Sequence, residues 1–303
     1  MPYQASAELK TIVVATDLSR TSSAALQCAR LLASAYGARV VLAHVIDPVS
    51  YANLSDVPQQ VLEEMTEVAR EEMDRLAEEF LSAGIPSNSE VRQGVVTHLL
   101  LQVIEQYKTD LVVLGTRGAK GVGPVAVGTV AEQLVRLAPC PVMAVAADAV
   151  SASAEALAGG EILVPIEVGA ASGKAIAAAQ SLASHLRRGI ILLHARTPAE
   201  MLADTDPCAA TTANLNSGIQ AYASVPVRCL VKDGSPADVI AAVAAESRVS
   251  MIVLAVNRES RSKTAHGTAY EVITRARTPV LFIPPSAMLE PESIPTERAV
   301  APC

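Results

Sequence analysis

Short apolar runs alternate with stretches of helical periodicity along the chain. Runs of this length that are rich in Val, Ile and Leu are typical of strands buried on both faces of a parallel sheet. The strands predicted in the first half are TIVVAT from Thr11, RVVLAHVI from Arg39, a short one near Glu90 to Gln93, DLVVLG from Asp110, and PVMAVAA from Pro141.

The segments between these runs are predicted helices. At Ala25, Cys28, Ala29 and Leu32 the apolar residues recur with the spacing of one helix face. The order βαβαβαβαβ predicts a parallel sheet joined by right-handed crossovers. The other predicted helices are an acidic one from about Val57 to Ala83, ended by Gly84, one through Leu100, Val103, Ile104 and Tyr107, and one from Gly128 to Leu137.

The second half of the chain repeats the first. TIVVATDLSRTSSAALQCARLLASAYGARVVLAHVIDP, from Thr11, aligns without a gap with EILVPIEVGAASGKAIAAAQSLASHLRRGIILLHARTP, from Glu161. Further on, VRQGVVTHLLLQVIEQYKTDLVVLG matches VKDGSPADVIAAVAAESRVSMIVLA, and PCPVMAVAA matches RTPVLFIPP. The repeat predicts an α/β protein of two tandem open, twisted, five-stranded parallel sheets with helices on both faces.

The two copies set the expected domain boundaries. The first domain is predicted at residues 1–147 and the second at 161–285. Small residues and paired glycines between them predict a linker at 148–160. Prolines among charges predict a loose tail at 286–303.

Charge and cysteine usage exclude several classes of protein. The 303 residues carry a net charge of −7, and without clustered Lys and Arg we expect no nucleic-acid partner. No run approaches the roughly 18 apolar residues of a membrane span, and the first residues lack a signal-peptide core. We therefore expect no membrane insertion and a cytoplasmic location. Without CxxC spacing, reduced thiols are predicted at Cys28, Cys140, Cys208, Cys229 and Cys303.

Glycines cluster in LGTRGAKGVGPVAVGTVAEQLV, Leu114 to Val135. The cluster lies between the carboxyl end of a predicted strand and the start of a predicted helix, where open parallel sheets bind ligands. Glycine lets backbone N–H groups approach phosphate oxygens, and a helix N-terminus adds unpaired donors and partial positive charge. The sequence therefore predicts a phosphate-bearing ligand at this edge.

The spacing of these residues is specific. Gly115, Gly118, Gly128 and Thr129 form G-x2-G-x9-G-T. With VVATDLS in the first strand and LAHVIDP in the second, this motif resembles the ATP-binding branch of the universal stress protein family, and the resemblance covers both units. It implies an ATP-binding stress-response or regulatory protein, with Mg²⁺ carried on the nucleotide. It also implies pairing of two units through their fifth strands, within this chain as a pseudo-dimer or between chains as a homodimer.

The resemblance also implies the residues around the nucleotide. Asp17 would hold the ribose side, and Val45 would present its backbone to the adenine edge. The remaining candidates are Ala15 and Thr16 beside Asp17, then Gly115, Arg117 and Gly118 on one side of the phosphates, and Gly128, Thr129 and Val130 on the other.

Structural interpretations of the same residues stay open. Asp17 is also a favoured residue for a helix cap or turn, and the glycines could form a surface loop with conformational demands of its own. His44, inside an apolar strand and repeated as His194, is interpreted as a core histidine. The glutamates of the acidic helix are interpreted as a solvated face, with a partner surface as the alternative.

The second unit departs from the motif. Ala255 stands in place of Gly115, and Arg258 in place of Gly118. Glu167 replaces Asp17, and Ile166 replaces Thr16. Because a Cβ would occupy space that a phosphate needs, at most weak nucleotide binding is predicted there.

Catalysis is not indicated by the residues. Rapid phosphoryl transfer needs a metal-holding acid, an oriented nucleophile and positive charge over the γ-phosphate. Arg117 and Lys120 could supply the charge, but no catalytic base or metal-binding acid stands out. We expect no catalytic residues, no protein metal site and at most slow hydrolysis. Two alternatives are an ATPase or nucleotidyl transferase, and a nucleotide-independent regulator that binds an unidentified protein partner through the acidic helix.

Overall fold

The computed structural model describes residues 9–19, 22–48, 58–116, 127–146, 159–166, 172–196, 225–256 and 267–284. The first unit contains β1 (Thr11–Ala15), α1 (Ser23–Tyr36), β2 (Arg39–Ile46), α2 (Gln59–Ser82), β3 (Ser87–Gln93), α3 (Val96–Gln106), β4 (Leu111–Gly115), α4 (Thr129–Leu137) and β5 (Val142–Val145). The second contains β6 (Ile162–Pro165), α5 (Ser172–Leu186), β7 (Ile190–Arg196), β8 (Val227–Asp233), α6 (Pro236–Glu246), β9 (Met251–Ala255), α7 (Thr268–Arg275) and β10 (Val280–Ile283).

The strands form one sheet in the order β3-β2-β1-β4-β5-β10-β9-β6-β7-β8. Strands within each unit pair in parallel, as predicted, and the α/β class is confirmed. The two five-stranded sheets join into one because the fifth strands of the two units, β5 and β10, pair antiparallel, which is the pairing within the chain that the resemblance implies. Met143 lies opposite Leu281 at the middle of this seam, between the pairs Val142–Phe282 and Ala144–Val280.

Helices cover both faces of the sheet. On one, α1, α2 and α5 pack on a core that is continuous across the seam and includes Val14, Met143, Val164 and Leu281. We call this the α1 face. On the other, the α3 face, α3 and α4 cover a core of the first unit, and α6 and α7 cover a core of the second. These apolar layers fix the positions of the strands, and with them the positions of the carboxyl ends of the parallel strands.

The strand β3 is longer than its sequence predicts. It begins at Ser87, not near Glu90, and pairs with β2 as far as Gln93. Its polar side chains bond to α2, since the Ser87 hydroxyl donates to Ala77 O (2.7 Å) and the Ser89 hydroxyl to an Asp74 carboxylate oxygen (2.5 Å). A search for apolar runs misses such an edge strand, because hydrogen bonds replace part of its apolar packing.

Candidate functional site

The strand order places a crevice in the first unit between β1 and β4. From β1 the chain crosses to β2 on one side, and after β3 it returns to add β4 on the other side of β1. The helices that follow β1 and β4, which are α1 and α4, cover opposite faces of the sheet, and such a reversal is where open parallel sheets bind ligands. The candidate residues in the described part of the chain lie at or next to the carboxyl ends of β1, β2 and β4, or at the N-terminus of α4.

The β1–α1 turn is fixed by side-chain hydroxyls. Buried Thr16 donates through Oγ1 to Ser22 Oγ (3.0 Å) and accepts from the Leu18 N–H (3.1 Å). Leu18 has φ 60°, a left-handed conformation rarely adopted by leucine. Asp17 is exposed, and its Oδ1 accepts from the Ser19 N–H (3.1 Å) and hydroxyl (2.6 Å). The carboxylate therefore makes a turn contact while standing at the edge of the crevice.

The end of β2 forms the neighbouring wall. Val45 is half-buried and packs, with Ala15, against the core of the α3 face. His44 points to the opposite side, and its Nδ1 lies 2.9 Å from Thr16 O. The prediction of a core histidine is therefore refined. His44 is only half-buried, and its ring bonds to the carbonyl at the end of β1.

The end of β4 and the start of α4 form the third wall. Gly115 ends β4, and Thr116, which is buried, donates its N–H to Val145 O (2.8 Å) and accepts from the Gly128 N–H (2.7 Å). Gly128 is the N-cap of α4, so the helix begins at Thr129, one residue later than predicted. Gly128 has no side chain to cap the helix, and no side-chain cap is present. Since the Gly128 N–H already donates to Thr116 O, the amides left without an intrahelical partner are those of the first turn after it, and no side chain of the described residues caps them.

Two of the remaining candidates, Thr129 and Val130, lie in the first turn of α4. Thr129 is exposed at the first turn of α4, and half-buried Val130 packs on the core of the α3 face. Arg117 and Gly118 lie outside the described residues, as does Lys120. The structure thus brings Ala15, Thr16, Asp17, Val45, Gly115, Gly128, Thr129 and Val130 to one edge of the sheet.

The second unit repeats this backbone but not its side chains. Ile166 donates its N–H to Leu193 O (2.8 Å), as Thr16 does to Ala43 O (3.0 Å), and α7 also begins after a glycine, Gly267. However, Ile166 has no hydroxyl to bond to its turn, and Ala255 replaces the glycine at the end of the strand. Glu167 and Arg258 lie outside the described residues.

Sequence reasoning missed two groups at the crevice. Thr116 was not a candidate, although its backbone joins β4, β5 and the N-cap of α4. Ser22 was not a candidate either, although its hydroxyl links Thr16 to Ser19 O (2.7 Å). The signal for Ser22 was available, because it recurs as Ser172 in the aligned copy.

Other chemistry is limited in the described part of the chain. Cys28, Cys140 and Cys229 are thiols, as predicted, and burial raises the pKa of Cys28 and of Cys140 to about 12. Cys208 and Cys303 lie outside that part. Within it, no cluster of His, Cys, Asp or Glu could hold a metal ion, and no helix is long and apolar enough to cross a membrane.

A tandem, doubly wound α/β protein with a strand-order reversal in each unit is the class that this geometry defines. The model of the Universal stress protein family matches residues 8–146 and again residues 160–284. The chain belongs to the universal stress protein family.

Relatives and solved structures agree with this assignment. Universal stress protein MJ0531 of Methanocaldococcus jannaschii is 30% identical over 141 residues, which are 45% of this chain and 81% of that protein. A universal stress protein of Archaeoglobus fulgidus has the same fold, with a TM-score of 0.74 over 90% of this chain and 98% of its own at 18% identity. A universal stress protein solved in complex with cAMP also matches, at 21% identity over 45% of this chain and 97% of its own. Its TM-score of 0.34 is too low to bear on the ligand of this chain.

Proposed function

We propose that the first unit binds ATP and that the protein acts as a nucleotide-dependent regulator in a stress response. The observation that carries this proposal is the uncapped start of α4 facing the end of β4. Gly128 N–H donates to Thr116 O at 2.7 Å, and a Cβ on Gly128 would lie 3.3 Å from that oxygen. A bare backbone at a helix N-terminus suits phosphate oxygens.

The other walls suit the rest of the nucleotide. Asp17 offers an exposed carboxylate to ribose hydroxyls, which are hydrogen-bond donors. Half-buried Ala15 and Val45 offer an apolar wall to the base, and the Val45 backbone is proposed to meet its polar edge. Arg117 and Gly118 are proposed to complete the phosphate side. Mg²⁺ would be held mostly by phosphate and water, as is usual for this ion.

The second unit is proposed to bind nucleotide weakly or not at all. The side chain of Ala255 occupies the end of β9, where the first unit has Gly115. Ile166 lacks the hydroxyl with which Thr16 ties its turn together. The role proposed for the second unit is then to support the first unit through the pairing of β5 with β10.

Denaturing the purified protein and analysing the supernatant by chromatography tests whether an adenine nucleotide is released. Calorimetric titration with MgATP then measures the affinity of folded protein from which bound nucleotide has been removed. We expect one site per chain, with affinity reduced about tenfold to a hundredfold in Asp17→Ala, since hydrogen bonds to a charged group contribute about 1.5–3 kcal/mol. Glu167→Ala is the matched control and should bind as the wild type. Absence of both released nucleotide and titration heat would refute the proposal.

A second candidate function rests on α2. This helix is long and exposes Glu63, Glu64, Glu67 and Glu71 beside Val61 and Val68, which are 41% and 66% exposed. A nucleotide-independent regulator would bind a protein partner through this surface. It would retain that binding after removal of nucleotide and in Asp17→Ala, whereas an ATP-dependent regulator would not.

A further inference from the structure

His44 lies against the proposed nucleotide site without being one of its predicted contacts. Its Nδ1 is 2.9 Å from Thr16 O, the carbonyl that precedes Asp17. A carbonyl can only accept a hydrogen bond, so Nδ1 carries the hydrogen and the imidazole is the donor. The side chain therefore joins the end of β2 to the end of β1.

This bond stands where the ladder between the two strands would otherwise continue. The paired residues of β1 and β2 end at Ala15 and Ala43, and the Thr16 N–H still donates to Ala43 O (3.0 Å). In a parallel ladder, the next bond would run from the Val45 N–H to Thr16 O. The imidazole of His44 donates to that oxygen instead, while β2 continues its pairing with β3 as far as Ile46 and Gln93.

Two groups of the proposed site are affected. Because the peptide unit is planar, holding the Thr16 carbonyl also fixes the direction of the Asp17 N–H and the position of the Asp17 Cα, from which its side chain extends. The backbone of Val45 on the β1 side lies beyond the last pair of the ladder, where a ligand can meet it. We propose that His44 is a positioning residue for nucleotide binding, which ends the β1–β2 ladder at Thr16 and so presents Asp17 and the Val45 backbone to the ligand.

The second unit provides the matched control. His194 Nδ1 lies 3.1 Å from Ile166 O, so the same bond is made at the same position of the other copy. His194 is buried, with 3% of its surface exposed. Loss of the His194 bond therefore removes the same contact from the unit that is proposed not to bind nucleotide, and a loss of affinity that came from global destabilisation would follow from either substitution.

The inference rests on the proposed function, and one set of titrations separates the two. MgATP affinity is measured by calorimetry, and thermal stability by calorimetric unfolding, for the wild type, His44→Leu, His44→Asn and His194→Leu. We expect His44→Leu to bind about tenfold more weakly, the equivalent of one lost hydrogen bond. His44→Asn should stay within about threefold of the wild type, because its amide nitrogen can take the place of Nδ1 and donate to Thr16 O. His194→Leu should bind as the wild type even where its stability falls.

Several outcomes would overturn the inference. Equal affinity of His44→Leu and the wild type would refute it and leave the proposed function standing, as would equal losses in His44→Leu and His194→Leu. A wild type that binds no MgATP would refute both. If His44→Leu does not fold, His44→Asn is compared with His44→Gln, whose longer side chain cannot place its amide at the Nδ1 position without shifting. Weaker binding by the Gln variant supports the inference, and equal binding refutes it.

Discussion

The two units share a backbone and differ at the edge where the first is proposed to bind ATP. In both, a histidine of the unit's second strand bonds to the carbonyl after its first strand, and a glycine stands at the N-cap position of the last helix without a side chain to cap it. The first unit has Thr16 and Gly115 where the second has Ile166 and Ala255. The exchange of Thr16 for Ile166 removes a hydroxyl directly after a strand, and the exchange of Gly115 for Ala255 adds a methyl group at the last residue of a strand.

The comparison teaches which residues belong to the scaffold and which to the site. A feature present in both units, such as the bond made by His44 or His194, is part of the fold before it is part of any site. A feature confined to one unit, such as the Thr16–Ser22 hydrogen bond (3.0 Å), separates the functions of the two copies. Matched substitutions in the two units can test this division.

The seam offers the largest expected effect on stability. Phe282, 1% exposed, lies opposite Val142, at the position that Ala144 occupies in the first unit. Phe282→Ala should lower the free energy of unfolding by about 3–5 kcal/mol, as expected for a large buried aromatic residue. Because the ring lies at the seam, hydrogen exchange measured by mass spectrometry should rise in both β5 and β10.

Phe80→Ala is the control for the seam. Phe80 is equally buried, with 1% exposed, but it belongs to α2, away from β10. Its substitution should cause a similar loss of stability, with faster exchange in the first unit only. Exchange that rises only in the second unit of Phe282→Ala would show that the seam does not couple the two copies.

The next effect in size separates the two helix caps. Gly128→Val should lower MgATP affinity about a hundredfold, or roughly 2.7 kcal/mol, because the side chain fills the approach to the first amides of α4. Gly128 has φ −65° and ψ 144°, which valine adopts readily, but its Cβ would lie 3.3 Å from Thr116 O, so thermal unfolding is measured beside affinity to separate lost binding from lost stability. Titration calorimetry measures the change. Gly267→Val is the matched variant in the second unit, and an equal loss there would contradict the proposed asymmetry.

The smallest effect, taken over a single pH unit, concerns two buried thiols of the first unit at alkaline pH. The pKa of Cys28 is raised to about 12 by burial, so its thiol ionises first in the unfolded chain. Stability should therefore fall as pH rises from about 9 towards 12, by about 1.4 kcal/mol per pH unit for each such thiol. Cys140, with a pKa also raised to about 12 by burial, should add a similar dependence.

The second unit supplies the variant for this test. It has Ala178 in place of Cys28, so Cys28→Ala gives the first unit the residue of its copy. Urea unfolding at a series of pH values should show a shallower alkaline decline in the variant, even if its stability at neutral pH is lower. An unchanged decline would mean that the Cys28 thiol ionises as readily folded as unfolded.

Much of the fold could be predicted because its signals are local. Apolar runs such as that of β1 and the helix-face spacing of Ala25, Cys28 and Leu32 lie within single elements. The edge strand β3 was predicted too short, since Ser87 and Ser89 bond to α2 across the fold. The crevice residues were found through a resemblance, and their arrangement depends on strand order, which periodicity does not contain.

The sequence by itself determined the elements, their duplication and the glycine motif between Gly115 and Thr129, because each is written in the spacing of neighbouring residues. Only the tertiary structure decided the antiparallel register in which β5 and β10 join the copies into one sheet, and that His44 reaches Thr16 O. These contacts link residues far apart in the chain. Their geometry is set by strand register, and register follows from the packing of the whole sheet between its helices.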